Sequence, residues 1–173
     1  MLGDCVKGCG YAYYPERVAA GIKMHRAIDT FTDQNDISAK CRTLLRPVAG
    51  KFAGLALDML YDHVLAKNWD LFTTRPLPDF EQDVFRILNA RYEEQTMENR
   101  ILLGHMEREH WLLRYATKEG TQRSLAGMAK RIAYQSNLDK VTTLYETVEE
   151  EFDKLALQFL NDITNELKVG GKK

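Results

Sequence analysis

Nowhere does the sequence hold the ~20 consecutive apolar residues that a membrane-spanning helix requires, so a membrane partner is not expected. Its opening, "MLGDCVKGCG", lacks the basic and then apolar order of a secretory leader, which points to an intracellular, cytoplasmic protein. Cysteine is scarce: Cys5, Cys9 and Cys41 leave an odd count with no CxxC pair, which argues against a disulfide framework and against a structural zinc site. An excess of positive charge is missing too. The formal net charge of −1 gives no electrostatic footprint for nucleic acid. Strand signals are nearly absent, because no stretch alternates apolar and polar residues for long.

What is present is helical periodicity. The 173 residues are 45% apolar and 28% charged, the size and composition of one globular domain. We expect an all-α fold of about six to seven helices, a single domain over 1–168 and a flexible tail over 169–173. Helices are predicted at about 16–32, 36–46, 48–68, 80–92, 96–116, 122–134 and 138–167. Pro15 suits a first helical turn, Pro47 a stop or kink, and Asp79 an N-cap after the loop "TTRPLPDF". The segment 48–68 is apolar on nearly all sides and should be central. The last helix carries Leu144, Val148, Phe152, Leu155, Phe159 and Ile163 at spacings of three and four, a packing stripe, and its "EEEFDK" charges read as a solvated face.

Two segments carry chemistry that packing does not require. "GIKMHRAIDTFTD" places His25 and Asp29 four residues apart, and "LDMLYDHVLAKNW" places Asp58 and Asp62 four apart with His63 adjacent. Residues four apart share a helical face, so each pair can aim at one point. Asp29 could instead form a surface ion pair with Arg26 or Lys23. Asp58 and Asp62 lie in a helix that reads as buried, where carboxylates must be paired, protonated or metal-bound. Carboxylates with some imidazole are the donors that hard divalent ions favour. Charge is uneven as well: residues 1–51 hold eight Lys/Arg against five Asp/Glu, which suits an acidic or phosphorylated partner. No serine elbow and no complete phosphate-binding glycine fingerprint is present.

The blocks "LGDCVKG", "VAAGIKMHRAIDTFTD", "LALDMLYDHVLAKNW" and "WLLRYATKEGTQRSLAGMAKR", in that order, resemble the acyl carrier protein phosphodiesterase family, also called acyl carrier protein hydrolase. The resemblance runs from Met1 to about Phe159 and implies an HD-like helical bundle of the metal-dependent phosphohydrolase type. It implies removal of the 4′-phosphopantetheine arm from holo-acyl carrier protein with a divalent metal, Mn2+ first and Mg2+ or Fe2+ as alternatives. Position by position it nominates Asp4, His25, Asp29 and Asp62 as metal ligands, with Asp58 in support and Asp33 behind them. Asp62, His63 and Arg26 are nominated for catalysis; Arg26 or Lys23 would hold phosphate oxygens. An acidic carrier would dock on Lys7, Arg17, Lys23, Arg42 and Arg46. Cys5 stands where the family has an aromatic residue. Family chains also open with an N-F-L-A-H-like segment upstream of this block, so either the protein starts before Met1 or this form is impaired. The other readings are a phosphohydrolase acting on a nucleotide or another phosphodiester, and a non-catalytic helical binding protein.

Overall fold

Three helices converge on the apolar residues that the sequence concentrates between 41 and 64 and again between 141 and 163. The computed structural model describes residues 8–170, and every described element is helical. Helix α1 spans Glu16–Gln34, α2 Asp36–Ala49, α3 Ala53–Lys67, α4 Leu77–Asn89, α5 Met97–Arg108, α6 Trp111–Arg114, α7 Lys118–Arg131 and α8 Val141–Gly170. Short 3-10 turns occupy Gly8–Tyr13, Gly50–Phe52 and Leu138–Lys140, among others. Residues 1–7 and 171–173, and with them Asp4, Cys5 and Lys7, lie outside the described residues. No helix among the described residues is long and apolar enough to cross a membrane.

Helices α2, α3 and α8 form the central layer, with α1 laid along α2 and α8 and with α7 closing the opposite side. Their buried faces supply Cys41 and Leu45 from α2, Ala56, Leu57, Leu60 and Val64 from α3, and Tyr145, Phe152 and Ala156 from α8, all at 0% exposure. The prediction that the segment around 48–68 is central therefore stands, with a different start. Gly50 breaks the run: its φ of 54° is a conformation that L side chains rarely adopt, and it separates α2 from α3. Pro47 does not stop α2, which continues to Ala49.

The helix count is a correction: the described residues form eight α-helices rather than six to seven. The predicted helix over 96–116 is two, because His110 adopts a left-handed conformation at φ 47° and turns the chain between α5 and α6. Buried Glu81 of α4 secures that turn. Its carboxylate accepts from the backbone N–H groups of Leu112 (3.1 Å) and Leu113 (3.4 Å) and lies 3.0 Å from His110 Nδ1. Asp79 is not the cap of α4, which starts earlier, at Leu77 behind Pro76. Thr117 caps α7 by accepting from Gly120 N–H at 3.1 Å. Gly120 must lack a side chain, since a Cβ there would lie 2.0 Å from the Arg114 carbonyl oxygen.

The stripe of α8 packs as its spacing predicts, but its charges are not uniformly solvated. Glu149 pairs with Lys67 and Lys118, while Asp153 pairs with Lys67 and accepts from the buried Tyr145 hydroxyl at 2.5 Å. These pairs tie α3 and α7 to α8 at one end of the bundle. The other end is open.

Candidate functional site

At that open end, α1, α3 and the last third of α8 leave a cleft of about 810 Å3. Helical spacing puts His25, Asp29 and Asp33 on one face of α1, each one turn after the last, with Ile28 and Thr32 between them. Across the cleft α3 presents Asp58, Tyr61, Asp62 and Leu65. Phe159, Leu160, Ile163, Thr164 and Leu167 of α8 make the apolar wall. The cleft thus has an acidic floor and an apolar side.

The carboxylates feel one another. Burial raises the Asp58 carboxyl to about 6, and the negative charges of Asp33 and Asp29 push the same way while Arg42 opposes them. Asp62 rises further, to about 7, mainly through desolvation and then through Asp58. Both residues are exposed on the cleft side of α3, which corrects the burial expected of them from the apolar helix, so the desolvation comes from protein crowding their remaining sides rather than from enclosure. On α1, His25 Nε2 stands 3.6 Å from Asp29 Oδ2. Tyr61 stacks on Phe159 with centroids 4.4 Å apart, and its hydroxyl lies 3.1 Å from Ser38 Oγ, which fixes the α3 side of the floor.

The structure brings His25, Asp29, Asp33, Asp58 and Asp62 to one cleft and leaves His63, Arg26 and Lys23 out of it. His63 is turned about 100° from Asp62 by the helix and faces the core at 1% exposure. Its Nδ1–H donates to the Tyr115 carbonyl at 2.7 Å, its ring meets Tyr145 edge-on, and burial pushes its pKa below the usual imidazole range. A substrate in the cleft does not reach it. Arg26 donates to the Gly8 carbonyl at 2.7 Å and lies over the Tyr11 ring, as Lys23 does, and neither residue lines the cleft. Arg17, Lys23 and Arg46 are exposed, whereas Arg42 is engaged with Asp33. Sequence reasoning missed Thr32, Tyr61 and the α8 wall. The one available signal was the α8 stripe itself, whose Phe159 and Ile163 belong to the core and also line the cleft.

Carboxylates and one imidazole are the right donors for a hard divalent ion. Their placement does not close around one: among the described residues no three of His, Cys, Asp and Glu converge on a common point.

Comparison with known proteins bears on this cleft. The family model described as "Acyl carrier protein phosphodiesterase" matches residues 1–163. A protein of that name from Klebsiella pneumoniae (strain 342) is 32% identical over 164 residues, covering 92% of this chain and 81% of the relative. Those from Yersinia pestis and Escherichia coli O9:H4 are each 30% identical, again over 92% of this chain, and 82% and 81% of the relatives. No solved structure matches. With the match spanning α1, α3 and the Phe159, Leu160 and Ile163 part of the α8 wall, the chain belongs to the acyl carrier protein phosphodiesterase family.

Proposed function

We propose that the protein hydrolyses the phosphodiester joining 4′-phosphopantetheine to a serine of holo-acyl carrier protein, releasing 4′-phosphopantetheine and the apo carrier. The observation that carries this reading is the cleft itself: a carboxyl near neutrality stands beside three further carboxylates and an imidazole, in a chain of this family. The apolar wall along α8 suits the uncharged pantetheine arm, and the acidic floor suits proton transfer.

Water attacks phosphorus, the bond from phosphorus to the serine oxygen breaks, and its electron pair leaves on that oxygen. Asp62, whose carboxyl is shared between acid and base forms near pH 7, gives the serine oxygen its proton. The His25–Asp29 pair takes the proton lost by the water. Exchange with solvent returns both groups to their starting forms. Desolvation keeps Asp62 in the high range, and the charge of Asp58 adds to it.

A divalent ion, Mn2+ before Mg2+ or Fe2+, is a second form of this reading, with His25, Asp29, Asp58, Asp62 and Asp4 as the residues that would hold it; a group bound to the ion would not also serve as the proton donor or acceptor. When bound, such an ion supplies positive charge and Lewis acidity at phosphorus. Donor chemistry supports it and the separation of the described donors does not. An HD-like arrangement is likewise part of the proposal, supported by the all-helical fold and the facing His25/Asp29 and Asp58/Asp62 pairs, though not by His63. Exposed Arg17, Lys23 and Arg46, with Lys7, are the docking cations for the acidic carrier.

The test incubates purified protein with holo-acyl carrier protein, with and without Mn2+, and follows the carrier by intact mass. Loss of the phosphopantetheine mass is expected. A carrier left intact while bis-(p-nitrophenyl) phosphate is cleaved would instead indicate another phosphodiester substrate.

A further inference from the structure

A cleft floored by Asp29, Asp33, Asp58 and Asp62 repels the monoanionic diester it is asked to bind, and the two cations nominated from sequence to hold phosphate do not line it. Arg42 of α2 does not line it either, but it is bound to one of its carboxylate residues, Asp33. One guanidinium nitrogen, Nη2, donates to the Asp33 backbone carbonyl at 3.1 Å, and Nη1 stands 3.7 Å from Asp33 Oδ1. The carbonyl belongs to the last turn of α1, where C=O groups have no partner within the helix, so Arg42 caps α1 from its neighbour. Its side chain is 22% exposed against 83% for Asp33. The arginine is thus held in place while the carboxylate it restrains stands in solvent. Its charge also reaches Asp58, where it favours the ionised form against the push of Asp29 and Asp33.

We propose that Arg42 is a positioning residue for the phosphodiester: by fixing Asp33 and offsetting its charge, it lets an anionic ester enter the acidic cleft, and so acts on substrate affinity rather than on the chemical step. This rests on the proposed function and replaces the reading of Arg42 as a surface docking contact. The two roles differ in what they sense. A docking cation acts on the carrier protein with or without its prosthetic arm, whereas a cation that acts through Asp33 on the cleft matters only when the phosphodiester is present.

The experiment measures Kd for holo- and apo-carrier by fluorescence anisotropy, in an Asp62→Asn background that blocks turnover, and KM and kcat in the otherwise wild-type chain. Arg42→Ala is expected to weaken holo-carrier binding about tenfold and leave apo-carrier binding within about twofold. KM should rise by a similar factor with kcat nearly unchanged. Arg42→Lys, which keeps the charge but not the two-point hold, should fall between. Adding Asp33→Asn to Arg42→Ala should restore most of the affinity, because the charge left uncompensated is then gone; a residue needed only for folding would not be rescued this way. Equal weakening for both carriers, unchanged holo-carrier affinity, or no rescue by Asp33→Asn would overturn the proposal. A wild-type chain that binds holo-carrier in this pattern but does not hydrolyse it would refute the proposed function alone.

Discussion

Asp62 and His63 are neighbours in sequence and have opposite fates, because one residue of helix turns a side chain by about 100°. Asp62 ends in the cleft and His63 in the core. Asp62→Asn should lower kcat for holo-carrier by about 10²–10⁴-fold, the usual range for a lost general acid or base, as measured by steady-state turnover. The same substitution should stabilise the protein at high pH. The Asp62 carboxyl is raised from 3.8 in the unfolded chain to about 7, so its favourable contribution is complete below about 3.8 and lost as pH rises through 7. Thermal melts in chelator should therefore show Asp62→Asn above wild type at pH 8, with the difference shrinking towards pH 4. His63→Ala should behave in the opposite way. Its ring fills the core against Tyr145 and serves the Tyr115 carbonyl, so removal should cost about 2–4 kcal/mol in urea unfolding. Turnover per folded molecule should stay near wild type. The pairing of His25 with Asp29 and of Asp58 with Asp62 was legible in their spacing, whereas the direction of His63 depended on α7 and α8 packing against α3, which no local pattern encodes.

At the scale of elements, long amphipathic helices were the easiest to read, since α8 and α3 advertise their faces over many turns. Breaks were harder. Nothing in "HMEREHWLLR" marks a helix end by composition, and the turn at His110 exists because Glu81, about 30 residues earlier, receives the backbone donors of the next helix. Glu81→Ala would leave those donors unpaired in a protein interior and should destabilise by about 1–3 kcal/mol, while Glu81→Gln, which keeps an acceptor, should lose less; urea unfolding separates the two. The α8 wall was half legible. Its apolar spacing identified Phe159 and Ile163 as packing residues, and they do pack, but the same two residues also line the cleft. Phe159→Ala removes the ring stacked on Tyr61 and should cost about 3–5 kcal/mol.

The whole molecule divides its labour along α8. One end is closed by Lys67, Lys118, Glu149, Asp153 and Tyr145, a paired network joining three helices, and the other is left open between α1 and α3. Charges that are matched at one end are left repelling at the other, where desolvation first and that repulsion second raise Asp58 and Asp62. The family could be read from sequence because two of its blocks cover the cleft-facing parts of α1 and α3; the charge asymmetry could not, since it arises only when α1 and α3 face each other. The central claim is that this cleft, and not the core face of α3, carries the reaction. Wild type, Asp62→Asn and His63→Ala, each verified as folded, should be compared for single-turnover conversion of holo- to apo-carrier by intact mass. The account predicts conversion by wild type and by folded His63→Ala, and almost none by Asp62→Asn. Conversion by Asp62→Asn at the wild-type rate, or its loss in a folded His63→Ala, would contradict it.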